Sequence, residues 1–274
     1  MDKKFHPAMK AINAGDVGRL RELVKEDPSL ATSRSTRSHP TLLQCVALDA
    51  NGNPNARAMA EVLLEAGAEL DEPLVAAGSI GNREVAELLL DRGAAIDGTG
   101  GWSPLEEALY WNNQDVVALL LDRGAKAQNL RTAAALGRTD LIKTYFNTDG
   151  RLKPEAGKID WPFGGNPSVS HRVNEWSQDR QGIIDNAFVY ACMHGHLDAA
   201  QLLLDKGAEI NTIPGGFDFA GTGLHYAALN GHRAMVEFLL QHGADKTIKD
   251  TKVGSTAAGW AEHGNHPELL DLLR

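Results

Sequence analysis

Ten histidines and two cysteines are the side chains of this chain best able to hold a metal ion, relay a proton or attack a substrate. Metal sites show short fixed ligand intervals, such as HExxH on a helix or paired CxxC. No such interval occurs, and Cys45 and Cys192 each stand alone in an apolar, helical context. The expectation is therefore no metal and no disulfide, which fits a reducing, cytoplasmic setting. Nucleophilic catalysis would need a motif around its serine or cysteine, and none is present. The glycines Gly98, Gly100, Gly101, Gly164 and Gly165 are not followed by the Lys-Ser/Thr of a phosphate loop. For acid–base work the sequence offers Glu106 beside Glu107, or Asp49 with His194, and spacing alone does not set the separation of either pair. No catalytic residue and no cofactor is expected.

The charge balance narrows the partners. With 27 basic against 36 acidic residues and a net charge of -9, the basic footprint of a nucleic-acid binder is missing. No apolar run approaches the roughly 18 residues of a membrane span. A secreted chain already freed of its leader would show the same start.

The elements that must position these residues recur. Leu202-Leu203-Leu204-Asp205-Lys206-Gly207-Ala208 has near copies at Leu63–Leu70, Leu88–Ile96, Leu119–Ala127 and Leu239–Asp245. In each, a turn residue precedes the terminal glycine by 12 positions: Asn55 and Gly67, Gly81 and Gly93, Asn112 and Gly124, Gly195 and Gly207, Gly231 and Gly243. Glycine and asparagine suit such turns because they tolerate positive φ. Val85 with Leu88 and Leu89, and Val116 with Leu119 and Leu120, fall at i, i+3 and i+4 and predict one buried helical stripe. Ala76-Ala77, Ala133-Ala134 and Ala227-Ala228 keep the preceding helix slim. A repeated helix-turn-helix of this kind buries its apolar face only against its neighbours.

Thr222-Gly223-Leu224-His225-Tyr226-Ala227-Ala228-Leu229-Asn230-Gly231-His232 resembles the ankyrin consensus TPLHxAA followed by two variable residues and GH. Ser103-Pro104-Leu105 and Glu72-Pro73-Leu74 are weaker versions of its opening. The resemblance, to the bacterial type, implies an all-α ankyrin-repeat solenoid of helix-turn-helix units with short finger loops. About eight units are expected: five in residues 1–146, an irregular insertion over 147–182, and three in 183–274. It also implies that His196, His232 and His266, after the turn, and His225, in the TPLH place, make local hydrogen bonds joining neighbouring units. Glu106 and Arg131 take that TPLH place in the fourth and fifth units, where an ion pair is expected.

The family's concave groove is lined by the two variable positions before each turn. In this chain that places Asp49, Tyr110, Trp111, Met193, His194, Asn230 and His263 there, with Ile80 and Leu136 equivalent, Trp102 just ahead of a helix and Tyr190 one turn earlier. The long insertion carries Trp161 and Trp176, and a proline- and glycine-rich finger carries Phe217 and Phe219. A structureless loop of this length is usually functional or disordered, and these aromatics argue against simple disorder and for its folding over the groove near units four to six. Aromatics at such places are enriched in interfaces. The expected function is recognition of a protein partner through groove and fingers. The alternative is a small-molecule binder or enzyme whose pocket lies between the groove of units four to six and the insertion.

Overall fold

The computed structural model describes residues 2–36, 40–99, 103–157, 179–217 and 219–274. Every named element among them is helical. They form two compact units that divide between Lys126 and Ala127.

The first unit contains α1 (His6–Ala14), α2 (Val17–Glu26), α3 (Ser29–Thr32), α4 (Leu42–Asp49), α5 (Ala56–Glu65), α6 (Asp71–Ile80), α7 (Arg83–Asp91), α8 (Pro104–Tyr110) and α9 (Gln114–Asp122). Its helices stack in two rows, α1 on α4 on α6 on α8 and α2 on α5 on α7 on α9. The second unit contains α10 (Leu130–Ala135), α11 (Thr139–Thr144), α12 (Arg180–Met193), α13 (Leu197–Asp205), α14 (Gly223–Leu229), α15 (Arg233–Gln241), α16 (Ala257–His263) and α17 (Leu270–Leu273). Here α10, α12, α14 and α16 form one row, and α11, α13 and α15 the other.

The leucine phrase sets this layering. Val85, Leu88 and Leu89, like Val116, Leu119 and Leu120, are buried, whereas Leu121, the third leucine of its run, is 40% exposed. Two of three leucines face the stack because a stripe at i, i+3, i+4 spans little more than a quarter of the helix circumference. Each buried leucine contributes roughly 1.5–3 kcal/mol. The glycine closing each phrase has a φ of 88 to 98°, a left-handed conformation that a Cβ would disfavour.

Helix starts are fixed by side chains that accept backbone N–H groups. Thr41 and Gln44 form a reciprocal capping box, as do Asn129 and Thr132, and Ser103 Oγ accepts from Glu106 N at 3.1 Å. One expectation needs correction. Asn55 is not a positive-φ turn residue: its φ is −98° at the start of α5, and the preceding Gly52 takes the left-handed conformation at 78°. The 12-residue spacing survives there because α5 has 10 residues where α7 and α9 have 9.

The irregular insertion, expected over 147–182, has regular structure at both of its described ends. Its end is helical from Arg180, because the Asp179 carboxylate accepts Gly182 N at 2.8 Å and starts α12 before the repeat frame resumes. Its beginning is ordered by an antiparallel bridge between Phe146 and Leu152 and a 3-10 turn at Pro154–Gly157. Residues 158–178, with Trp161 and Trp176, and residues 100–102, with Trp102, lie outside the described residues. So does the expected folding of the insertion over the groove.

Candidate functional site

At five of the second helices the side chain that opens the helix also ties its repeat to the one before. Asn55 Nδ2 donates to Gly15 O at 2.9 Å, Asn82 Nδ2 to Ala47 O at 3.0 Å, and Asn113 Nδ2 to Gly78 O at 2.8 Å. In the second unit histidine takes over, with Nε2 of His196 on Ala135 O and Nε2 of His232 on Met193 O, both at 2.9 Å. A carbonyl only accepts, so each Nε2 carries the hydrogen. Burial pushes the His196 and His232 imidazoles below their usual pKa, more than those hydrogen bonds raise it. His266 departs from the pattern: its Nδ1 meets Glu268 Oε1 at 3.2 Å on the exposed cap.

His225 is buried within its own capping box. Its Nδ1 accepts from Thr222 N at 3.2 Å, and its Nε2 donates to Ser255 O at 3.2 Å in the following finger. Burial lowers this pKa too, against the raising effect of the Ser255 carbonyl and of Asp250. The rings of His196, His225 and His232 are therefore structural. Among the described residues no three His, Cys, Asp or Glu side chains converge as a metal site requires. Both cysteines are buried and neither is in a disulfide, and burial raises the Cys192 thiol pKa, which opposes thiolate chemistry.

In the first unit the variable positions present one aromatic to solvent. Trp111 is 39% exposed, while its indole Nε1 donates to Glu107 Oε1 at 2.9 Å and its ring meets Tyr110 edge-on at 5.2 Å. Tyr110 itself is buried. Glu106 is also buried, in the first unit, and Arg131 in the second. Asp49 is exposed, and so is Ile80.

In the second unit a ladder of aromatics runs along the first-helix row. Tyr190, Tyr226 and Trp260 each stand five residues before a turn residue, Gly195, Gly231 and Asn265. Phe217 reaches back from its finger and lies 5.3 Å from the Tyr190 ring and 5.1 Å from that of Tyr226, which in turn is 5.1 Å from Trp260. Tyr190 and Phe217 are therefore buried, and Met193 is buried as well, where the sequence pattern places all three on an open surface. His194 and Asn230 are half-buried; the ring of His194 stacks on His196 at 6.3 Å, and Asn230 Nδ2 donates to Tyr226 O at 3.0 Å. His263 is exposed.

Phe219 differs from its neighbour Phe217: it is 53% exposed and rests edge-on against Trp260 at 6.3 Å. The finger beside it is organised by Asp250. Its Oδ1 accepts Lys252 N at 2.9 Å and Val253 N at 2.7 Å, and its Oδ2 accepts Ser255 N at 2.9 Å and Trp260 Nε1 at 3.0 Å. Burial would raise this pKa, but the donors outweigh it and hold the carboxyl at about 2. Asp250, Tyr226 and Trp260 were not singled out by sequence reasoning; the shared five-residue offset would have revealed the two ring positions.

A family model for ankyrin repeats in three copies matches residues 42–132 and 165–250, more than half of the chain. The chain belongs to the ankyrin-repeat family. It is similar to palmitoyltransferase ZDHHC13 of Homo sapiens, 41% identical over 61 residues, which cover 22% of this chain and 10% of that protein. It is also similar to the probable E3 ubiquitin-protein ligase XBOS33 of Oryza sativa subsp. japonica, 35% identical over 93 residues, or 34% and 17% of the two chains. The serine/threonine-protein kinase TNNI3K of Mus musculus is 34% identical over 92 residues, or 30% and 11%. The ankyrin chain thus spans a tenth to a sixth of the length of these relatives, whose names describe three different activities. Ankyrin repeats are in general protein–protein interaction scaffolds, and no helix among the described residues is long and apolar enough to cross a membrane.

Proposed function

We propose that this ankyrin-repeat chain is a non-enzymatic scaffold that takes a protein partner on its variable positions and finger loops. The observation that carries the reading is Trp111. A large ring left exposed on a folded helix end, with its indole pinned to Glu107, contributes contact area with little rotamer entropy left to lose.

The test is affinity capture from the source organism, analysed for proteins and small molecules alike, with wild type and Trp111→Ala side by side. A protein enriched by wild type and depleted at least about tenfold with Trp111→Ala, at unchanged melting temperature, is the expected result. Equal enrichment by both would remove Trp111 from the interface. A second reading, a small polar ligand on one face of α12, is favoured by the Asn186 amide, whose Nδ2 is buried without a hydrogen-bond partner among the described residues. A small molecule that co-purifies with wild type, in place of any protein, and is lost with Asn186→Ala would favour this second reading.

A further inference from the structure

We infer that the tips of the last two fingers, around Phe219 and Val253, form a docking point for a short acidic segment of a protein partner that also carries a large apolar side chain. The inference rests on the binding-scaffold reading above and names the chemistry of one of its surfaces. Phe219 is 53% exposed and Val253 74%, the two most open large apolar residues described. Both belong to the second unit, and hydrogen bonds join their fingers: Thr251 N donates to Ala220 O at 3.1 Å.

The aromatic is held in place before anything binds. The Phe219 carbonyl accepts both the Tyr226 hydroxyl and Gly221 N, and its ring leans on Trp260. Opposite it, Val253 N is fixed by the Asp250 carboxylate at 2.7 Å. An apolar pair presented on clamped backbone loses little entropy on docking, which is the property of an interface anchor.

The charge around the pair selects the partner. The Lys252 ammonium lies 5.8 Å from the Phe219 ring centroid, and Lys249 is exposed on the same finger. Neither lysine has a carboxylate at ion-pair distance among the described residues. The finger's own Asp250 is buried and occupied by four donors, so it neutralises neither. The Lys252 ammonium therefore stands beside the apolar pair, and Lys249 on the same finger, with no ion-pair carboxylate among the described residues, on a chain whose net charge is -9. Complementarity favours carboxylates around an apolar side chain, and the fields act locally because the Debye length is only about 8 Å at physiological salt.

The test is a random-peptide display selection on the full chain, run in parallel on wild type, the Phe219→Ala/Lys252→Glu variant and Trp111→Ala. The enriched peptides are then synthesised and titrated. The expected result is a wild-type selection of Asp- and Glu-rich sequences bearing Leu, Phe or Trp. Their binding should fall at least about tenfold with Phe219→Ala or with Lys252→Glu, stay with Phe219→Tyr, and weaken in about 1 M salt, where the Debye length is ~3 Å. Peptides of basic or uncharged character overturn the inference. So do peptides that ignore the Phe219 and Lys252 changes but are lost with Trp111→Ala, and that outcome leaves the scaffold reading standing. Failure to enrich on any variant removes both. Concentration-dependent self-association abolished by Phe219→Ala would seat a second copy on the patch and displace the acidic segment.

Discussion

Replacing Asp250 by asparagine tests how far one carboxylate holds the last finger together. The side chain keeps its shape, but one oxygen becomes an NH2 that cannot accept. The remaining oxygen serves best at the Ser255 N and Trp260 Nε1 donors, which face the interior, leaving the Lys252 and Val253 amides to water. Hydrogen bonds to a charged group contribute about 1.5–3 kcal/mol each and neutral ones about 1. Lost charge assistance on two bonds, at about 0.5–2 kcal/mol each, and loss of two others to water, at about 1.5–3 kcal/mol each, sum to at least about 4 kcal/mol; alanine, which removes all four bonds, should cost at least about 6 kcal/mol. Urea unfolding followed by tryptophan fluorescence would report it, and amide exchange would place the loss in residues 250–274, because repeat stacks unfold unit by unit. Acid gives a second readout. The Asp250 carboxyl titrates at about 2 in the fold against about 3.9 in an unfolded chain. Its contribution is whole above about pH 4 and is lost as pH falls through about 2, so the variant should show a shallower acid loss than wild type over that window. Stability of Asp250→Asn within about 0.5 kcal/mol of wild type at neutral pH would refute the reasoning.

The histidine ties predict a separate, higher acid transition. His196, His225 and His232 have lowered pKa values in the fold, so their stabilisation is present above the unfolded value near 6.5 and is lost as pH falls below it. Replacing both His196 and His232 by asparagine, the residue that bridges in the first unit, should flatten the decline in melting temperature below about pH 6.5; an unchanged profile would contradict this. Gly223→Ala should destabilise by about 1–3 kcal/mol, because its Cβ would sit 2.8 Å from Cys192 Sγ. Wild-type denaturant stability in that variant would show that the neighbouring helices move apart freely.

What could be read from the sequence was local. The LLLxxGA phrase specifies a helix stripe and a left-handed stop within nine residues, so five copies revealed the repeat and, from His225 and His232, its family. The reading failed where a distant contact decides the conformation. Asn55 looks like a turn residue by spacing, yet a carbonyl 40 positions away at Gly15 makes it a helix-opening bridge. Phe217 and Phe219 are indistinguishable in a glycine-rich finger, and only the positions of Tyr190 and Tyr226 bury the first while leaving the second open. The start of α12 at Arg180 was hidden because its capping Asp179 precedes a polar, glycine-containing turn with no apolar period. Gly223, where the ankyrin consensus has proline, is explained by Cys192 and Phe188 of the preceding repeat, whose atoms occupy the space a larger residue would need.

The bridges at the head of these second helices have a consequence for how such a chain can change length. Each takes from its predecessor a main-chain oxygen, at Gly15, Ala47, Gly78, Ala135 or Met193, which every residue type supplies, and Asn113, His196 and His232 also need the open space over the turn glycines Gly81, Gly137 and Gly195. As far as these joints are concerned, a repeat that keeps its turn glycine can therefore be copied or removed without a matching substitution next door. The joints then place no demand on the residues that face a partner, which are free to diverge while the stack stays in register.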